Sequence, residues 1–429
     1  MTIVQPNPAT LPTDLDVDVL IVGGGIAGAA LACALRHTGR TIAVVEQRRD
    51  RLDTARGDHL QPCNVELLAR WGVLDRFHAA GAGRRIGHEF RTAAGETLLA
   101  ARYDELPIPF PYCLVVNHDL IAEILLDAAC ESANVRRFQP VVARHFEVTE
   151  VGIASLTFEA PAGSAGIRIR PRVVVGADGT NSPMRAALGF ETDAHVYRHP
   201  MVAMFGRRPS ALEPDDYFFR YASDRGMLVI QQRMDGRIKV TLPVGGEGIG
   251  WWKKSTPADR EAVVRDRAHA LAGFDAEIAG FYPVKMVHAR KYVSGNVVLV
   301  GDAAHSIHPA RGQGLNLGIA SLAALVDHLP AGDDLASPSR VHDALLAYEA
   351  FQKPRYDTLL GRNHEAAVAM DETADGDVAA LMRAQDEQLR RIHVDPELRR
   401  LHLLDVTGYP FGLPVPGPDS YNDTRGNPA

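Results

Sequence analysis

The chain has 429 residues, 46% hydrophobic and 23% charged, which excludes a disordered or collagenous protein and suits a folded globular one of two or three domains or one large two-lobed enzyme. Lys+Arg 46 against Asp+Glu 53 leaves a net charge of −7, so no general positive field exists to draw in nucleic acid or anionic lipid. Four cysteines, Cys33, Cys63, Cys113 and Cys130, are too far apart for a CxxC pair or a disulfide framework, which points to the reducing cytoplasm.

Residues 1–16 are polar and read as a loose tail. The run from Val19 to Leu35 is uncharged, as in a membrane segment or signal core. It contains Gly23-Gly24-Gly25, however, and no Lys or Arg precedes it, so a turn is expected there and no membrane span. Val17-Asp18-Val19-Leu20-Ile21-Val22 is a strand, Ala27 to His37 a helix and Thr41 to Glu46 a second strand, together a βαβ unit and so a parallel sheet. Helices are expected at about Cys63–Arg70 and Asp119–Ser132, with strands and a Pro-rich aromatic loop between them. Pro171–Gly176 reads as a buried strand. Met227–Ile230 and Ile238–Leu242 flank Asp235-Gly236, a hairpin signal. Val297–Val300 returns to buried strand, helices dominate to about Asp395, and a Pro/Gly-rich tail closes the chain.

Gly23-x-Gly25-x-x-Gly28 lies between strand and helix. Gly23 permits a tight turn, Gly25 lets the backbone approach a pyrophosphate, and Gly28 lets helix and strand pack closely. The first turn, at Ile26 and Ala27, offers free N–H groups and a positive dipole end to an anion. Glu46, followed by Gln47, can accept from a ribose diol. It would repel a 2′-phosphate, so Arg48, Arg49 and Arg51 read as a solvated loop and NADP is disfavoured at this site. Two later strands end in a carboxylate beside glycine: Gly176-Ala177-Asp178-Gly179, followed by Ser182 and Arg185, and Gly301-Asp302-Ala303-Ala304-His305. The second continues into His308-Pro309-Ala310-Arg311-Gly312-Gln313-Gly314-Leu315-Asn316.

With these three ordered motifs the sequence resembles the group A flavoprotein monooxygenases, the family of para-hydroxybenzoate hydroxylase and the ubiquinone-pathway hydroxylases, over about residues 17–355. The resemblance implies an α/β fold: a Rossmann-like FAD-binding domain (17–84, 113–189 and 296–330), an inserted mixed or antiparallel β-sheet substrate lobe (85–112 and 190–295) and C-terminal helices (331–395), with 396–429 as tail. It implies FAD as cofactor and NADH or NADPH as transient co-substrate. Asp302 would hold the ribityl chain, and the helix opening near Gly312 would aim its positive end at the flavin pyrimidine through Gln313, Gly314, Leu315 and Asn316. Pro309 matches the proline that lies against the isoalloxazine, Arg56 an arginine near the FAD pyrophosphate, and Asp178 and Gly179 a motif tied to both nucleotides. His118 stands where the family usually has Arg or Gln, and Arg311 where a small residue is commoner. His305 and His308 beside Asp302 could suggest a metal, but the segment is explained as a flavin loop. Trp251-Trp252 lack the halogenase pattern and read as surface or lobe-packing aromatics; Gly245-Gly246-Glu247-Gly248 reads as a flexible loop.

The implied reaction is hydroxylation of an aromatic ring, of phenol, quinolone or polyketide type, by O2 through a flavin C4a-hydroperoxide, with the protein supplying placement and water exclusion. Tyr217, Arg220, Tyr221, His288 and Arg290 are candidate partners for a phenol, none assigned as a base, and Tyr217-Phe218-Phe219 is either pocket lining or strand core. An epoxidase or isoprenoid reductase on the same fold and a non-catalytic flavin sensor are the alternatives. The partners expected are a small aromatic and O2, with the chain as monomer or homodimer.

Overall fold

The computed structural model describes residues 14–50, 58–159, 166–212, 216–223, 226–309, 313–373 and 378–414. The first strand, Asp14–Val22, is β-branched and buried along its second half, and runs between parallel neighbours Ile167–Gly176 and Ile42–Val45. Val135–Phe138 extends the sheet on one side and Val297–Leu299 on the other, both parallel. A hairpin of Val142–Thr149 and Gly152–Glu159 adds antiparallel strands to Ile167–Gly176. Strands buried on both faces need helices above and below. The helix Ile26–Leu35 supplies one cover, and its Ala/Gly composition lets it lie close to the sheet.

The second sheet has seven strands in the order Glu277–Tyr282, Met201–Arg207, Arg237–Pro243, Gly226–Gln232, Tyr217–Ser223, Gly87–Thr92 and Thr97–Arg102. Every pairing is antiparallel except that of Tyr217–Ser223 with Gly87–Thr92. The expected hairpin turns at Gly236, whose φ of 79° suits glycine. One face is buried with its own core, including Met204, Phe219, Ile230, Val240 and the fully buried Trp252, whose indole N–H donates to the Val244 carbonyl at 3.1 Å. Trp252 is thus a lobe-packing aromatic, one of the two roles expected for it.

Three local expectations are corrected. Gly245–Glu247 forms a 3-10 turn that leads into the helix Gly248–Lys254, because glycine at 245 and 248 takes positive φ and lets the chain reverse tightly. The supposed tail contains a helix, Pro396–Thr407: Asp395 caps it through Oδ1, which accepts from the N–H groups of Glu397 and Leu398, Pro396 opens it, and Gly408 at φ 82° ends it. The strand read as starting at Val17 begins at Asp14, where Arg170 on the neighbouring strand pairs with Asp14 and Asp16. Residues 1–13 and 415–429 of the two expected tails lie outside the described residues.

Candidate functional site

The Gly23–Gly28 turn is built as its glycines require. A Cβ on Gly23 (φ 113°) would stand 2.2 Å from the Ala177 carbonyl oxygen, and one on Gly28 1.9 Å from the Gly23 oxygen, so both positions are closed to side chains. At Gly25 a Cβ would meet nothing within 4 Å. Gly25 also begins the helix with no side-chain cap. The first-turn N–H groups of Ile26 and Ala27 therefore face an open space, as an anion-binding turn needs. Glu46 at the end of the neighbouring strand is fixed by two backbone donors: Gly24 N–H to Oε2 and Arg48 N–H to Oε1, each 2.8 Å. Gln47 beside it is exposed.

The two acidic strand ends meet. Val300 N–H donates to the Gly176 carbonyl at 2.9 Å, and Thr180 Oγ1 donates to Asp302 Oδ2 at 3.1 Å. Arg185, a buried side chain, binds the carbonyls of Ala303 (2.8 Å) and Thr180 (2.7 Å) and so welds the loops. Thr180 carried no signal of its own in the sequence, since its partner is 122 residues away. Asp178 accepts from the Met184 N–H at 3.0 Å through one oxygen, while the other is buried without a partner. Burial pushes its carboxyl up, against the downward pull of Ser182, the Met184 amide and Arg185. Gly301 (φ 55°) lies so close to the first helix that a Cβ there would stand 2.8 Å from that of Ala27; a Cβ on Gly318, in the helix Gly314–His328, would stand 3.6 Å from the Gly301 Cα and 3.9 Å from the same Ala27 Cβ.

That late helix begins at Gly314, with no side-chain cap at Gln313. Gln313 is buried, donates weakly to the Asp405 carbonyl at 3.3 Å, and leaves its Oε1 without a partner. Leu315 is half-buried. Asn316 is committed to the protein: Oδ1 accepts from the Gln61 N–H and Asn64 Nδ2, both 2.8 Å, and Nδ2 donates to the His59 carbonyl at 3.2 Å. It positions the helix against the Gln61–Asn64 segment. Pro309 is exposed; His308 beside it is buried, its N–H donates to Asn363 Oδ1 at 3.0 Å, and burial pulls its pKa down to about 4. Arg56, Arg311 and Gly312 lie outside the described residues.

His118 opens the helix His118–Cys130 and donates its N–H to Asp58 Oδ1 at 3.2 Å. This leads to a cluster that sequence reading missed. Asp58, with a fully buried side chain, accepts from Lys239 Nζ at 2.7 Å and Arg233 Nη1 at 3.4 Å, joining the nucleotide domain to the seven-stranded sheet. Of the candidate phenol partners, Arg290 pairs at the surface with Glu191 and Asp193, and His288 sits between Tyr292 and Asp357. Tyr217 accepts from Arg102 at 3.2 Å. Tyr221 and Phe219 belong to the buried face of the lobe. His305 packs edge-on against Tyr356, ring centroids 4.5 Å apart. Among the described residues no three His, Cys, Asp or Glu side chains are grouped to hold a metal.

The glycine cradle, two uncapped helix starts and partnerless buried oxygens on Asp178 and Gln313 fit a large polar cofactor with a phosphate. The family described as "FAD binding domain" matches residues 16–357. A ubiquinone hydroxylase of Rhodospirillum rubrum is 27% identical over 82% of this chain and 81% of its own length. The 3-demethoxyubiquinol 3-hydroxylase of Escherichia coli is 26% identical over 74% and 80%. Among solved structures, the p-nitrophenol 4-monooxygenase of Pseudomonas putida shares the fold at a TM-score of 0.77 and 20% identity, covering 92% of this chain and 98% of its own. A Pseudomonas aeruginosa protein solved with 2-aminobenzoylacetate aligns at a TM-score of 0.72 and 25% identity, over 85% and 99%. No helix among the described residues is long and apolar enough to cross a membrane. The match across most of the chain, on the site just described, makes this protein a member of the FAD-binding-domain family, that of the group A flavoprotein monooxygenases.

Proposed function

We propose that the chain hydroxylates an aromatic substrate, of phenol, quinolone or polyketide type, using FAD, NADH or NADPH, and O2. The observation that supports this reading is the convergence at Gly301, where the first helix, the Asp302 loop and the late helix come so close that a Cβ on Gly301 would stand 2.8 Å from Ala27 and one on Gly318 3.6 Å from Gly301. FAD, when bound, supplies transfer of electrons from the nicotinamide and activation of O2. The first turn at Gly25–Ala27 would take the pyrophosphate, Glu46 the adenosine ribose and Asp302, oriented by Thr180, the ribityl hydroxyls. The uncapped start at Gln313–Gly314 would favour negative charge on the ring, and Pro309 would border the place where substrate meets it.

The lobe's part is to cover the reacting carbon and exclude water, and the relatives support an aromatic or quinonoid occupant: ubiquinone-type rings, p-nitrophenol and 2-aminobenzoylacetate. No side-chain nucleophile is required. The test is the visible spectrum of the purified protein, then NADH and NADPH oxidation in the same cuvette against a panel of phenols, quinolones and polyketide rings. Flavin bands with oxidation accelerated by one ring, and one oxygen atom from O2 in the product, are expected. A yellow protein that no aromatic accelerates overturns aromatic hydroxylation; a protein that takes up no FAD overturns the flavin reading altogether.

A further inference from the structure

The seven-stranded sheet has one face sealed by its own core, where Phe219, Ile230 and Val240 lie in register. Alternation places Phe218, Arg220, Gln231 and Lys239 on the opposite face, toward the nucleotide domain. One short strand of that domain, His59–Leu60, reaches this face. The His59 ring packs on Phe218 with centroids 4.9 Å apart, and its Nδ1 lies 3.0 Å from Gln231 Nε2. Its carbonyl accepts from Asn316 in the first turn of the late helix. His59 is therefore gripped by the sheet on one side and by the helix start assigned to the flavin on the other, and its residue exposure is only 9%.

The contact with Gln231 decides the proton's position. An amide nitrogen donates and does not accept, so Nδ1 is the lone-pair nitrogen and a neutral ring carries its single proton on Nε2. The ring is neutral because burial, with the cations of Arg220 and Lys239 adding to it, pulls its pKa down to about 3. Such a ring is a poor base near neutrality and a good donor. Among the described residues Nε2 has no hydrogen-bond partner. The Arg220 cation that helps to disfavour a charged imidazole favours a negative guest beside it, whereas Lys239 is already paired with Asp58.

We propose that His59 is a substrate-contacting specificity residue, held by Gln231 as the Nε2–H tautomer and offering that proton to an anionic oxygen on the substrate ring. This deepens the hydroxylase reading and rests on it. The substrate class narrows to a hydroxylated or oxo-substituted aromatic that enters as its oxyanion, which is also the form with the more electron-rich ring. His59 orients that oxygen; it does not remove its proton.

The experiment uses the FAD-loaded full chain, with 4-nitrophenolate as probe and nitrobenzene, which lacks the oxygen, as control, each titrated against the flavin spectrum. A hydrogen bond to a charged oxygen predicts binding of 4-nitrophenolate about tenfold tighter or more. In His59→Leu and Gln231→Glu the preference falls to within about threefold while FAD affinity changes by less than about threefold. Nitrogen NMR of 15N-histidine-labelled protein reports the tautomer whether or not a ligand is present. The wild type is expected to show a pyridine-like Nδ1, and Gln231→Glu, which gives Nδ1 an acceptor, a proton moved onto Nδ1. A wild-type Nδ1–H tautomer, equal affinity for the two rings, or binding of neither overturns the proposal. Failure to take up FAD overturns the hydroxylase reading instead, and flavin absorbance reports it before any aromatic is added.

Discussion

Thr180 donates to Asp302 across 3.1 Å, so the carboxylate assigned to the ribityl chain is aimed by a residue from a different strand end. An oriented acceptor binds better than a free one, because less order is lost when the ligand arrives. Thr180→Val is expected to weaken FAD binding about three- to tenfold with a stability loss of about 1 kcal/mol, and Asp302→Ala to weaken it more. Fluorescence titration of the apoprotein with FAD, beside a urea melt, measures both.

The glycines of the opening turn separate fold from ligand. Gly28→Ala drives a methyl into the Gly23 carbonyl oxygen and is expected to destabilise the chain by about 3 kcal/mol or more. Gly25→Ala adds the same methyl where nothing lies within 4 Å. Its apoprotein should melt within a degree or two of wild type, about the scatter of a neutral substitution, yet bind FAD at least about tenfold more weakly, since the methyl fills space reserved for the phosphate. Equal FAD affinity in Gly25→Ala would place the phosphate elsewhere.

Asp58 is shared by Lys239 and Arg233, and the Asp58 and Lys239 side chains are 0% and 2% exposed. Removing the shared anion strands two cations, whereas removing Lys239 leaves Asp58 its arginine. Asp58→Asn is therefore expected to cost about 3–5 kcal/mol and Lys239→Met clearly less, as read by urea denaturation at pH 7.

Four buried histidines set a pH dependence. Burial pulls His59 and His305 down to about 3 and His308 to about 4, and burial with His402 beside it holds His88 well below its ordinary range. Each stays neutral in the folded chain while its unfolded counterpart protonates near its ordinary pKa of about 6.5. The unfolded state then binds the extra protons, so stability is complete above about pH 6.5 and falls with acidification by about 1.4 kcal/mol per pH unit per histidine, down to the folded-state values. His305→Phe retains the packing on Tyr356 and removes one titrating group. Between pH 6.5 and 5.5 it should lose about 1 kcal/mol less than wild type; an identical loss would show that His305 takes no part.

Much of the nucleotide domain was legible because its signals are local. Gly23, Gly25 and Gly28 sit within six residues of one another, and the strands beside them are continuous β-branched runs buried on both faces. The Asp235-Gly236 hairpin was legible for the same reason. The Asp58–Lys239–Arg233 cluster was not, since a charge that finds its partner about 180 residues away leaves no period or spacing in the chain. His59 looked like one histidine among seventeen until Gln231 and Asn316 were placed around it. The Pro396–Thr407 helix was a different omission: Asp395, Pro396 and Gly408 are capping signals visible in the sequence, outweighed by the Pro and Gly residues beyond Gly408.

That helix delivers Tyr409 to Glu66, whose Oε2 accepts from the phenol at 2.6 Å, and Gly412 to a gap beside Cys63 and Ala320 too narrow for a side chain. Two segments separated by 343 residues thus share one seam. On the ribosome Glu66 waits for 343 further residues before its covering turn appears. A nascent chain that has not yet reached Tyr409 therefore presents an unfinished apolar edge along the helix Pro62–Arg70, so this seam closes only after the seven-stranded sheet has been made.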